Sequence, residues 1–110
     1  MSARLRKADR VAPLFAALGD ETRLGLVARL SAGGPVSITR LTDGSGVTRQ
    51  AVSKHLRVLA GAGLVRGARR GRESLWRLEP RRLEDARRSL DHLSRQWDRA
   101  LDRLRMFVED

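Results

Sequence analysis

Val11, Leu14, Phe15 and Leu18 recur at the i, i+3, i+4, i+7 spacing of one helix face, which predicts an amphipathic helix over residues 8–18. Gly19 stops it, and Asp20 can cap a second helix, DETRLGLVARLSAG, with Leu24, Val27 and the Leu30/Ser31 side toward a core. Gly33-Gly34-Pro35 ends that helix. Ser37 can cap a short third one, SITRLTD, with Ile38 and Leu41 turned inward, and DGSG (Asp43–Gly46) forms a tight connector. Thr48 is a good N-cap for a fourth helix, 48–61, with Val47 and Val52 at the two positions of a hydrophobic staple and Gly61 and Gly63 closing it. After Leu64 the period shortens. LVRGARRGRESLWRL reads as two short strands around Arg69-Arg70-Gly71, a β-hairpin with a basic tip. Pro80 then suits the first turn of a last helix running to about residue 108.

That last helix carries a seven-residue repeat: Leu83, Ala86, Leu90, Leu93, Trp97, Ala100, Leu104 and Phe107 alternate steps of three and four. At 1.5 Å per residue it spans about 40 Å, longer than so small a domain can cover. A stripe of that length left uncovered would be an exposed apolar patch, so packing against a second subunit is expected. The residues expected at such a seam are Val11 and Leu14 of the first helix and Leu90, Leu93, Trp97, Leu101 and Leu104 of the last. The expected organisation is a basic disordered arm over 1–7, one folded domain over 8–79, and a dimerisation helix over 80–110 belonging to the same domain.

Composition sharpens this picture mainly through charge. The chain has 110 residues, 41% apolar and 33% charged, enough for one modest core. Its net charge is +10, unevenly spread: residues 1–46 hold seven Lys/Arg against four Asp/Glu, residues 47–78 eight against one, and residues 79–110 eight against eight. The excess therefore sits in the window of the fourth helix and the hairpin, the electrostatic footprint of a polyanion binder. A membrane surface would want apolar anchors beside the basic groups, and the polar side has none. With no cysteine, disulfides, thiolate metal sites and thiol nucleophiles are excluded. The apolar patch Val11–Gly19 is short and broken by Pro13, a poor signal peptide, so the expected address is cytoplasmic.

The fourth helix divides cleanly. At about 100° per residue, with Arg49 at zero, Ser53 falls near 40°, Arg57 near 80°, Gln50 near 100° and Lys54 near 140°. Val52, Leu56 and Leu59 fall on the opposite arc, with Ala51, His55 and Val58 beside them. Arg and Gln carry the forked groups that match guanine and adenine edges in the major groove, and Ser can serve either base. A short helix, a tight turn and a second helix with such a start make a helix-turn-helix, whose second helix enters the groove by its N-terminal residues. The expected DNA contacts are Thr48, Arg49, Gln50, Ser53, Lys54 and Arg57 on the helix and Arg69, Arg70 and Arg72 on the hairpin. Double-stranded DNA is favoured over RNA because no aromatic stacking platform is present.

The stretches LGDETRLGLVARL, TRQAVSKHLRVLAGAGLV and GRESLWRL resemble the winged helix-turn-helix repressors of the arsenic-resistance regulator (ArsR/SmtB) family over residues 11–79. The resemblance implies a mainly α fold with a small β-hairpin and a long C-terminal helix. It also implies a homodimer joined through first and last helices, recognition by the helix at 48–61, a wing at 66–77, and a repressor released by a signal. Metal-sensing members place a Cys-x-Cys pair in the third helix, where this chain has Thr39, Arg40 and Leu41. Others pair Asp and His along the last helix, where Asp91 and His92 stand without a second histidine. The ending Trp97…Leu101…Leu104…Phe107-Val108-Glu109 is similar to cysteine-free relatives often encoded beside START-like ligand-binding proteins.

The remaining chemistry is thin. His55 lies in the apolar phase, and Asp98 and Asp102 are ringed by Arg95, Arg99, Arg103 and Arg105, a pattern of ion pairing rather than a metal cage. No nucleophile–base–orienter set can be assembled, so no enzyme, cofactor or metal is expected. The leading function is a homodimeric, sequence-specific DNA-binding repressor acting on a palindromic operator, with any small-molecule effector unknown. The competing readings are a winged-helix assembly module docking an acidic partner and a nonspecific nucleoid binder. Arg49-Gln50 at the helix start argues against the latter, since neutralising phosphate needs neither fork geometry nor Gln.

Overall fold

The computed structural model describes residues 3–109. The order is α1 (Ala3–Leu18), α2 (Glu21–Leu30), β1 (Val36–Ser37), α3 (Ile38–Thr42), α4 (Arg49–Gly61), β2 (Val65–Arg70), β3 (Glu73–Leu78) and α5 (Pro80–Glu109). Side-chain oxygens start three of the helices: Asp20 Oδ2 accepts the Arg23 N–H at 3.0 Å, Ser37 Oγ that of Arg40 at 3.2 Å, and Thr48 Oγ1 that of Ala51 at 3.1 Å. Each satisfies a backbone donor that the first helical turn leaves orphaned. α4 ends in a Schellman motif: the Leu64 N–H reaches Leu59 O at 3.0 Å and the Gly63 N–H reaches Ala60 O at 2.9 Å. Gly63 has φ +80°, a conformation that favours glycine, and a Cβ there would lie 3.1 Å from Arg82 Cγ, so that the arginine side chain would have to shift.

The core gathers Leu14, Leu26, Leu41, Val52, Leu56, Leu59 and Leu64, all essentially without exposure, around the face where α4 meets α1, α2 and α3. The expected face of α2 is rotated. Leu24 is 54% exposed, while Leu26 joins Val27 and Leu30 inside. With apolar residues at 24, 26, 27 and 30, the pattern covers too much of the helix to fix its phase. Val58 of α4, expected beside the core, is likewise exposed.

The sheet has a strand that the hairpin pattern did not announce. β1 pairs antiparallel with β3 in the order β1-β3-β2, setting Val36 opposite Trp76 and Ser37 opposite Leu75. β2 and β3 pair from Val65 opposite Leu78 to Arg70 opposite Glu73, closed by a two-residue turn at Gly71-Arg72. Gly71 has φ +63° and Arg72 a negative one, as a type II′ hairpin turn requires.

α1 begins at Ala3, so residues 3–7, expected as part of a basic arm, continue the helix as Ala, Arg, Leu and Lys favour; Met1 and Ser2 lie outside the described residues. Val11 and Leu14 are 9% and 0% exposed within their own protomer, packed in the core, so they present almost no surface for a seam.

α5 is one continuous helix whose two halves meet different surroundings. Leu83 and Ala86 pack on the core, where α5 meets α1. Beyond them Leu90, Trp97, Leu101 and Leu104 are about half exposed, Leu93 is half-buried, and Phe107 and Val108 are open to solvent. Thirty residues of α-helix measure about 45 Å, and the long axis of the molecule is 64 Å against 34 and 22 Å across.

Candidate nucleic-acid interface

α4 is aimed by what it buries. Val52, Leu56 and Leu59 have no exposure, which fixes the helix rotation and turns Arg49, Gln50, Lys54 and Arg57 to solvent with Ser53 half-buried. Thr48 is exposed, and its hydroxyl serves as the cap. Arg49 Nη1 lies 3.4 Å from Thr39 Oγ1 and Arg57 Nη2 3.2 Å from Ser53 Oγ, so two guanidinium groups lean on neighbouring hydroxyls.

A cleft of about 660 Å³ runs between this strip and the hairpin. It brings together Arg49, Gln50, Ser53 and Arg57 from α4 with Arg69 and Arg72 from the hairpin. None of its lining residues is acidic. Four like charges in a cleft with no counter-charge on its walls raise the local positive potential and favour an anionic guest. Thr48, Lys54 and Arg70 do not line the cleft. For Arg70 the reason is the pleat. Gly67 pairs with Trp76 and Arg69 with Ser74, so Arg69 shares the cleft face, while Arg70, paired with Glu73, points to the opposite face with Arg66 and Arg77.

Sequence reasoning missed Trp76 and Arg29. Trp76 lines the cleft, its Nε1–H donates to Ser74 Oγ at 3.1 Å, and its ring covers Gly67, where a Cβ would sit 2.9 Å from Trp76 Cη2. The glycine opposite a tryptophan is visible in the sequence, but only the strand register makes them neighbours. Arg29, in α2, donates to the carbonyls of Arg40, Leu41 and Asp43 in and after α3.

His55 closes the other side of α4. Its Nδ1 is 3.3 Å from Arg23 Nη1 and 3.9 Å from Asp20 Oδ2, and Arg23 Nε donates to Ala17 O at 2.6 Å, so α1, α2 and α4 meet at one polar corner. The N–H of Arg23, followed by the charges of Arg23 and His55, holds the Asp20 carboxyl below its usual range. On α5, His92 lies near Gln96, and among the described residues no three His, Cys, Asp or Glu side chains cluster as metal ligands. Among them, no helix is long and apolar enough to cross a membrane.

The helix-turn-helix domain family matches residues 18–68, from the end of α1 into β2. The chain is 41% identical over 96 residues to the HTH-type transcriptional regulator Rv2034 of Mycobacterium tuberculosis, spanning 87% of this chain and 83% of that one. An ArsR-like transcriptional regulator from Rhodococcus sp. RHA1 superposes with a TM-score of 0.68 at 35% identity, covering 90% of this chain and 92% of the other. The chain belongs to the ArsR family of winged helix-turn-helix transcriptional regulators. The hairpin β2–β3 is therefore the ArsR wing and α4 the second helix of its helix-turn-helix. The homodimeric winged helix-turn-helix domain Mb0332 from Mycobacterium bovis has the same fold, with a TM-score of 0.66 at 23% identity over 89% of this chain and 87% of that one.

Proposed function

We propose that the protein is a homodimeric repressor that binds a palindromic DNA operator in the cytoplasm, reading bases through the start of α4 and phosphates through the wing. The cleft carries this reading: base-matching Arg49, Gln50 and Ser53 share its walls with Arg57, Arg69 and Arg72, without an acidic neighbour. A nonspecific binder needs the cations but has no use for Gln50 between them. The dimer is supported by the half-exposed stripe Leu90, Trp97, Leu101 and Leu104 and by the homodimeric state of the Mycobacterium bovis relative. Leu93 is the remaining member of that seam, whereas Val11 and Leu14 belong to the core of the protomer. A two-fold dimer sets its recognition helices roughly 34 Å apart, one turn of duplex, which is why the operator is an inverted repeat. Without cysteine, the releasing signal does not act through thiolate-bound metal.

The test is selection from a pool of random duplexes, in which the protein itself picks out the sequence it binds. An enriched inverted repeat, bound at one dimer per duplex, is the expected outcome. A pool that stays random, or an enriched sequence bound by a monomer, contradicts it.

A further inference from the structure

The turn that aims α4 is held by a side chain from outside it. α3 has five residues, too few to be stable on helix hydrogen bonds alone, and its carbonyls need partners beyond the helix. Ile38 O accepts from Thr42 Oγ1 at 2.8 Å, Thr39 O from the Asp43 N–H at 3.1 Å, and Thr42 O from Ser45 N–H and Oγ at 3.1 and 2.7 Å. The carbonyls of Arg40, Leu41 and Asp43 accept instead from one guanidinium, that of Arg29: Nη1 donates to Leu41 O at 2.7 Å and Asp43 O at 3.1 Å, and Nη2 to Arg40 O. A cation at a helix C-terminus also meets the negative end of its dipole.

We propose that Arg29 is a positioning residue for DNA recognition: it clamps the α3–α4 turn and so sets the approach angle of α4, while its two terminal amino groups donate to the backbone. The clamp extends into the cleft, because α3 presents Thr39 to Arg49 Nη1 at 3.4 Å. Fixing the α3 backbone thus fixes the support of a base-reading guanidinium. The planar fork matters, since three carbonyls spread over four residues are reached by a guanidinium and not by the compact charge of an ammonium. First-contact groups are only as well placed as the shell that holds them.

The inference rests on the reading of α4 as the DNA-recognition element, and the experiment separates the two. The full chain, Arg29→Met and Arg29→Lys are each titrated with the selected duplex and with a scrambled one across a salt series. Arg29→Met is expected to keep its helical circular dichroism, its scrambled-DNA affinity and its salt slope, and to lose about tenfold on the selected duplex through misaimed base contacts. Arg29→Lys should recover less than half of that loss on a logarithmic scale. Arg29→Met binding the selected duplex like wild type, losing both duplexes equally, or unfolding along with Arg29→Lys overturns the positioning role. A variant-free measurement stands beside these. In nitrogen-15 NMR of the wild-type chain, the Arg29 guanidinium should rotate slowly about its Nε–Cζ bond, and rotation as fast as that of Arg87 on α5 would overturn the clamp. Should the wild type show no duplex preference, the DNA reading fails on its own, and the NMR result still decides the clamp.

Discussion

Residues 47–78 and residues 79–110 each carry eight Lys/Arg side chains, and the two sets do opposite things. Residues 79–110 set an equal number of carboxylates against their cations, and several of these pair along α5. Arg82 pairs with Asp85, Arg87 and Arg88 with Glu84, and Arg105 with Asp102, all at helical i, i+3 or i, i+4 spacing. Around α4 and the wing one Glu stands against eight cations, and four arginines line a cleft without an acidic wall. Count is therefore uninformative, while the arrangement of counter-charges separates a solvated helix from a surface that invites a polyanion. The apolar residues show the reverse contrast. Val52, Leu56 and Leu59 vanish into the core under α4, whereas Trp97, Leu101 and Leu104 stay about half exposed on a helix whose arginines are interleaved with carboxylates.

The contrast can be broken most forcefully at Trp97. If the α5 stripe is the dimer seam, Trp97→Ala should weaken dimerisation by about 2–4 kcal/mol, as expected for a central aromatic anchor, while leaving protomer helicity intact. Sedimentation of wild type and variant measures this, and a wild type that is monomeric at micromolar concentration removes the seam altogether. Next come the residues proposed to read bases. Arg49→Ala or Gln50→Ala should cost about 1–3 kcal/mol on the operator and relax preference at particular base pairs, measured by anisotropy with single-base operator variants.

The wing sharpens the comparison further. Arg69→Ala should make the plot of log affinity against log salt shallower by about one unit per subunit, with operator and scrambled DNA weakened alike. Arg70→Ala, on the opposite face of the hairpin, should change the slope less than Arg69→Ala does. The smallest effect belongs to α5. Glu84→Ala releases Arg87 and Arg88 from exposed ion pairs, and should shift stability by less than about 1 kcal/mol with no change in DNA affinity. Acid titration adds one direction: because Asp20 titrates below its usual range in the folded chain, its capping contribution is complete at neutral pH and is lost as pH falls through that lowered value. Asp20→Asn should remove that portion of the acid dependence of thermal unfolding.

Much of this architecture is legible in the residues because its causes are local. Asp20, Ser37 and Thr48 announce three helix starts, and Gly63 announces a helix end, through interactions spanning three to five residues. The polar strip of α4 is equally local, since Val52, Leu56 and Leu59 leave only one rotation of the helix. What escaped depends on contacts distant in sequence. β1 has two residues and exists through its pairing with β3, so no periodicity could mark it. The separation of Arg69 from Arg70 requires the strand register, and the role of Arg29 requires carbonyls 11 to 14 residues away. Val11 and Leu14 carry the spacing of an apolar face, which says that they are covered and not by what.

The central claim is that the cleft between α4 and the wing reads DNA sequence, with bases read by the helix and phosphates by the hairpin. Its most direct measurement is the operator-to-scrambled affinity ratio of Gln50→Ala and Arg69→Ala, taken side by side across a salt series. The expected result is a reduced ratio with an unchanged salt slope for Gln50→Ala, and an unchanged ratio with a shallower slope for Arg69→Ala. The reverse pattern, or a ratio that neither substitution moves, contradicts it.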